Sequence, residues 1–160
     1  MRKLLIFLAI LLAALFGLWR SNVIESALLL SDLGAGARPT LYKKLTPAPE
    51  RRQVGYAVAG RRHLADLYLP AEKAGAAIVL VPGAAKEGKD DPRLVALASS
   101  LARARFLVLV PDIPSLRALE VSAADREPIA DAVRFLAEER KPPAIGIAAI
   151  SYAAAPAILA

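Results

Sequence analysis

The spacing of apolar and polar positions changes several times along the chain, and each change marks a different kind of element. Residues 4–19 are uncharged and show no polar face, the pattern of a helix bathed in lipid rather than one side of a soluble core. A second apolar segment, residues 23–33, is interrupted by Glu25 and Asp32. It lies either on a membrane surface or against the domain that follows. Residues 34–49 are rich in Gly, Pro and Thr and read as a linker. Two alternating runs, 53–59 and 63–69, then flank Gly60-Arg61-Arg62 and predict an antiparallel hairpin.

Three continuous apolar runs follow, at 76–82, 106–111 and 144–150, each suited to a strand buried on both faces. After the first comes a polar loop, 83–91, and a helix capped by Asp90 or Asp91 with Pro92 in its first turn. That helix is predicted to reach about Arg105, with Leu94, Leu97, Ala98 and Leu101 on one face. After the second run comes a Pro-rich loop and a helix starting at Ser122 or Asp125. Its apolar stripe is Ile129, Ala132, Val133 and Leu136, and it ends near Lys141-Pro142-Pro143. Ser151 follows the third run, and a last helix opens at Tyr152. A hairpin followed by strand–helix–strand–helix–strand–helix predicts a parallel sheet with helices on both faces, joined by right-handed crossovers. A functional site then belongs at the carboxyl ends of the strands, where residues 83–85 and Ser151 fall.

Composition narrows the function classes. The net charge of +6 suggests an anionic partner, but Lys and Arg occur as scattered pairs (Lys43-Lys44, Arg51-Arg52, Arg61-Arg62) among acids. No basic stripe carries interleaved aromatics, so nucleic acid is not an expected partner. The chain contains no cysteine and one histidine, which excludes disulfides and leaves no metal-ligand spacing. No cofactor is implied.

Arg2 and Lys3 precede the first apolar run, and after it only Arg20 is basic until Arg38. This asymmetry puts the amino terminus in the cytoplasm and the domain outside it. The run holds sixteen residues, about 24 Å of helix against a hydrocarbon core of about 30 Å. Trp19 would lie at the interface and Arg20 would snorkel. The nearest small-x-small cleavage pattern, Ala35-Gly36-Ala37, lies well beyond the run, so an uncleaved anchor is favoured over secretion after signal removal. The expected organisation is an anchor at 1–20, an amphipathic segment and linker at 21–50, and a domain at 51–160.

Three stretches of that domain carry a resemblance. They are Ala65-Asp66-Leu67-Tyr68-Leu69-Pro70 ending the hairpin, Val79-Leu80-Val81-Pro82-Gly83-Ala84-Ala85, and Ile147-Ala148-Ala149-Ile150-Ser151-Tyr152-Ala153-Ala154. Their order resembles the N-terminal portion of an α/β-hydrolase of the dienelactone-hydrolase-like or esterase-like kind. The implied fold class is α/β: an antiparallel hairpin, then parallel strands with helices on both faces, preceded here by a transmembrane helix. The resemblance implies a serine nucleophile at Ser151 on a strand-to-helix elbow. It implies oxyanion donors at the backbone N–H groups of Tyr152 and Ala84, and a small ester, lactone or similar acyl substrate. Residues two before and two after the serine approach each other and must be tiny. Here they are Ala149 and Ala153 in place of the usual glycines, and Pro82 replaces the usual histidine of the loop.

The triad acid and histidine follow the nucleophile in such folds, but no Asp, Glu or His follows Ser151 in this sequence. His63 precedes it and falls on the hairpin. Asp112 stands at the carboxyl end of the second apolar strand, where it either touches substrate or holds the next loop. Glu87, Lys89, Asp90 and Asp91 are read as a solvated loop or helix cap. Two functional expectations result. One is a membrane-anchored serine hydrolase truncated after its elbow. The other is a catalytically incompetent, hydrolase-like domain kept as a membrane-tethered interaction module. Truncation would expose residues 144–150 as an apolar sheet edge and make the domain poorly soluble.

Overall fold

A computed structural model describes residues 2–20, 23–120 and 122–160. Helices α1 (Arg2–Arg20), α2 (Val23–Ala35) and α3 (Leu41–Leu45) precede the sheet. The hairpin is β1 (Glu50–Val58) and β2 (Arg61–Leu69); β3 (Ala76–Val81) and β4 (Phe106–Pro111) follow, separated by α4 (Pro92–Arg103). A short α5 (Pro114–Arg117) and then α6 (Arg126–Phe135) lead to β5 (Ile145–Ala149) and α7 (Ala154–Ile158). The strands lie in the order β1-β2-β4-β3-β5. β2 pairs antiparallel with β1 and β4, whereas β3 pairs parallel with β4 and β5. The sheet is therefore mixed, with its parallel part where the continuous apolar runs predicted it.

Those runs serve two cores. Val79, Val81, Leu107 and Leu109 point to one face, against Ile129, Ala132 and Leu136 around α6. Leu80, Val108 and Val110 point to the other, against Leu94, Ala98 and Ala102 of α4. Period-two alternation thus assigns successive residues of one run to opposite helices. Each fully buried Val or Leu contributes about 1.5–3 kcal/mol, which is why apolar residues fill both faces.

Local chemistry sets the boundaries. Asp91 caps α4 by accepting from the Arg93 N–H at 2.8 Å, with Pro92 in the first turn. Ser122 and Asp125 form a capping box on the turn leading into α6. The hairpin turns one residue earlier than the sequence suggests. Ala59 and Gly60 both have positive φ (49° and 79°), the conformation of a two-residue turn whose twist matches the strands. Arg61 and Arg62 are consequently in β2. The expected Pro-rich loop contains α5, held by the buried Leu116.

The N-terminal segments also differ from a free linker. Asp32 of α2 is fully buried. It accepts from Ser100 Oγ of α4 at 2.5 Å and from Thr40 Oγ1, and Lys43 Nζ lies 3.2 Å away. Thr40 caps α3, whose Tyr42 is 1% exposed. Arg103 Nη1 donates to the carbonyls of Thr46 and Pro47 at 2.5 and 3.1 Å. Residues 23–47 are therefore docked on α4 through the hydrogen bonds of Asp32 and Arg103, although the buried Tyr42 hydroxyl and Arg103 Nε have no partner among the described residues. The first apolar run forms α1, as expected, but among the described residues no helix is long and apolar enough to cross a membrane. The side chains of Arg2, Lys3, Trp19 and Arg20, expected to flank the bilayer, lie outside those described.

Burial acts to raise the carboxyl pKa of Asp32, but hydrogen bonds from Ser100, Thr40 and Lys43 outweigh it and hold the group below 3.8. Asp131 is also lowered, first by the hydrogen bonds from Arg61. Both carboxylates therefore contribute stability that is present above pH about 4 and is lost as pH falls through their lower folded-state values. Acid unfolding followed by circular dichroism should set in below that pH. Asp32→Ala should cost about 3 kcal/mol, at the lower end for a broken buried pair because Lys43 also holds the Gly36 and Arg38 carbonyls.

Among the described residues β5 pairs only with β3, and Ile147 and Ile150 at this edge are 41% and 36% exposed. Residues 23–160 produced alone should sediment as oligomers, and Ile147→Lys should shift them toward monomer. A monomeric parent chain would contradict this account of the edge.

Candidate active site

The parallel pairing of β3 and β5 sets Val81 opposite Ala149. The loops leaving the two strands start side by side. The Ile150 N–H donates to the Val81 carbonyl at 3.2 Å, extending the ladder by one bond. Pro82 has no N–H and starts the departing loop. A Cβ on Gly83 would meet the Ile150 oxygen at 3.2 Å, Ile150 Cγ2 at 3.4 Å and Ser151 Cβ at 3.6 Å. Glycine here lets one backbone lie against the other.

Ser151 has a φ of +55°, a conformation that costs a non-glycine residue about 1–2 kcal/mol. The chain then enters a 3-10 turn, Ser151–Ala153, and α7. Ala153 is fully buried and its N–H donates to the Ile150 carbonyl at 3.2 Å. The sequence-predicted elbow is thus present as strand, positive-φ serine and helix. Ala149 and Ala153 occupy the positions that must be small. Ser151 is exposed, and its hydroxyl has no hydrogen-bond partner among the described residues.

Of the other two predicted site residues, Ala84 lines the cleft that Ser151 borders, whereas Tyr152 is not among its lining residues. Ala84 and Ser151 line one cleft of about 480 Å³, together with Gly83, Leu94, Leu97 and Leu33. The Ala84 N–H has no acceptor among the described residues. Tyr152 stands in the first turn after the elbow, where N–H groups lack intrahelical acceptors, and its side chain is 68% exposed.

The titratable candidates are engaged elsewhere. His63 Nε2 lies 2.9 Å from Asp131 Oδ2, and its ring stacks on Tyr56 at 5.1 Å. Arg61 donates to both oxygens of the same carboxylate at 2.8 Å. Asp112 holds the following loop: its N–H donates to the Leu64 carbonyl at 2.8 Å and its Oδ2 pairs with Arg117 at 3.3 Å. The Arg117 stem in turn covers Gly88, where a Cβ would come within 2.6 Å of it. Lys89 reaches Asp66 and Asp90 at 3.2 and 3.0 Å, and Arg51 bonds both acids. The loop 83–91 is therefore braced by ion pairs on one side of the cleft. Among the described residues no cluster of His, Cys, Asp or Glu is disposed to hold a metal. Leu33 was not a sequence candidate. The signal that could have found it is the buried Asp32 beside it, an acid in an apolar segment that needs a partner.

No protein-family model matches the chain, and no curated protein does. Solved structures do. The dienelactone hydrolase of Anabaena variabilis aligns over 69% of this chain and 56% of its own, with 17% identity and a TM-score of 0.55. A protein designated m3DLH aligns over 70% of this chain and 53% of its own, with 17% identity and a TM-score of 0.54. The fold is that of the α/β-hydrolases, and the chain spans little more than half the length of either structure.

Strain at Ser151 has a measurable consequence. Ser151→Gly should raise stability by about 0.5–1 kcal/mol because only the glycine relieves the positive φ. Ser151→Ala, which keeps a Cβ there, should not. Equal gains from both in thermal unfolding would mean that the backbone at this position is not strained.

Proposed function

We propose that this chain carries the nucleophile-bearing portion of a serine hydrolase that cleaves an ester, lactone or similar acyl bond. The observation that supports it most is the positive-φ Ser151, unpartnered and exposed, at 3.6 Å from a Cβ position on Gly83. In this reading Ser151 Oγ attacks the acyl carbon, and its proton passes to a base. The Tyr152 and Ala84 N–H groups hold the oxyanion. Collapse expels the alcohol and leaves an acyl-serine, which water then hydrolyses. No residue from Ser151 to Ala160 is Asp, Glu or His, and the Asp131 carboxylate occupies His63 Nε2. In this reading the acid and base of the reaction are supplied from outside residues 1–160. Without them the serine hydroxyl is a poor nucleophile at neutral pH.

The same reading holds the domain to a membrane through α1, with the domain on the extracytoplasmic side. The charge-free run 4–19 supports it, as does the exposure of Phe7, Ile10, Leu12 and Phe16. A run shorter than the bilayer core is accommodated by local thinning and by flanking basic residues. Secretion after signal removal is the alternative.

A second reading, a non-catalytic tethered module, is favoured by the engagement of the single histidine away from Ser151. A fluorophosphonate probe separates the two. The protein produced from its full open reading frame should label at Ser151, and Ser151→Ala should abolish labelling and lower ester hydrolysis about 10³-fold or more. A folded protein from that frame that never labels would favour the module.

A further inference from the structure

The cleft beside Ser151 is built from two parts of the chain far apart in sequence. α4 lines it through Leu94 and Leu97, and α2 lines it through Leu33, near its end. Leu94, Leu97 and Ser100 follow at intervals of three on α4 and so form one ridge. Ser100 is the residue that bonds the buried Asp32. The bond that docks α2 therefore also determines where the next residue, Leu33, lies relative to Leu97. Thr40, Lys43 and the Arg105–Glu25 pair at 3.7 Å hold the same segment, so this wall is fixed rather than trailing.

The volume of about 480 Å³ suits a small organic ligand. One end carries Ser151 and the Ala84 N–H. Leu33 and Leu97 offer hydrocarbon to an occupant above the buried Leu94, and Asp91 and Arg93, paired with each other at 2.7 Å, border the same cleft. A ligand that fits both ends has a carbonyl group attached to a flexible aliphatic chain.

We propose that α2 forms one wall of an acyl-chain subsite, and that Leu33 selects esters whose acyl group is a medium-length aliphatic chain over acetyl esters. This rests on the hydrolase reading and specifies its substrate class. Leu33 acts by contact with the chain, not with the reacting atoms.

Two readouts on the protein from its full open reading frame, held in nanodiscs, test the subsite and the reaction separately. Ligand-observed NMR should detect hexanoate binding, and Leu33→Trp should weaken it about tenfold, while Leu33→Met retains it. Leu97→Trp, in the α4 lining of the same cleft, should weaken it likewise. In hydrolysis, the ratio of kcat/KM for the p-nitrophenyl hexanoate over the acetate ester should fall about tenfold in Leu33→Trp. Loss of hexanoate binding in both Trp variants with no fluorophosphonate labelling of Ser151 would sustain the subsite and sink the hydrolase. Labelling of Ser151 with hexanoate affinity and ester ratio indifferent to Leu33 would overturn the subsite and leave the hydrolase standing. Absence of hexanoate binding by the folded wild-type protein would also overturn the subsite.

Discussion

Two backbones at the carboxyl end of the sheet lie closer together than side chains on both would permit, and the arrangement of the cleft follows from that approach. The Ile150 N–H reaches the Val81 carbonyl, Gly83 rests against Ile150, and the chain must then turn sharply at Ser151. The turn is made by a positive φ at Ser151, with Ala149 and Ala153 as small neighbours on either side. The bond from Ile150 is possible only in the register that places Val81 opposite Ala149. That register is set by the two cores, because a slip by one residue would move Val79 and Val81 from the α6 face to the α4 face. The position of a single hydroxyl is thus a consequence of hydrophobic packing on both sides of the sheet.

The N-terminal helices extend the same dependence. A carboxylate as buried as Asp32 is tolerated only with donors around it, and its donors come from α4 and from the α3 cap. α4 in turn packs on β2, β3 and β4 through Leu94, Ala98 and Ala102. The segment between the first apolar run and the hairpin is therefore tied to the sheet that carries the elbow. The fixed relation between α2 and the elbow follows from hydrogen-bond satisfaction, not from contact area alone.

Much of the fold is legible along the chain. Continuous apolar runs identify β3, β4 and β5, Asp91-Pro92 marks the start of α4, and Ser122 with Asp125 marks the approach to α6. The elements that escape are those whose stability is not local. α3 has five residues, too few to persist without Tyr42 buried beneath it. α5 lacks a side-chain cap and depends on Leu116. The hairpin turn falls at Ala59-Gly60 because strand pairing demands two positive φ values there, which outweighs alanine's preference. In the site, the placement of Ser151, Ala84 and Tyr152 at strand and helix ends is a nearest-neighbour property and was visible. The His63–Asp131 pair spans 68 residues and left no local trace.

By itself the sequence determined the succession of the strands with α4 and α6 between them, the small residues flanking Ser151, and the glycine at the end of β3. Each of these depends on periodicity or on the volume of one side chain. Tertiary structure alone decided that Asp32 bonds Ser100, that Leu33 and Leu97 line the same cleft, and that the single histidine serves Asp131 rather than the serine. Those outcomes depend on which buried polar group finds which donor across the sheet, and that choice is made only once the layers are packed.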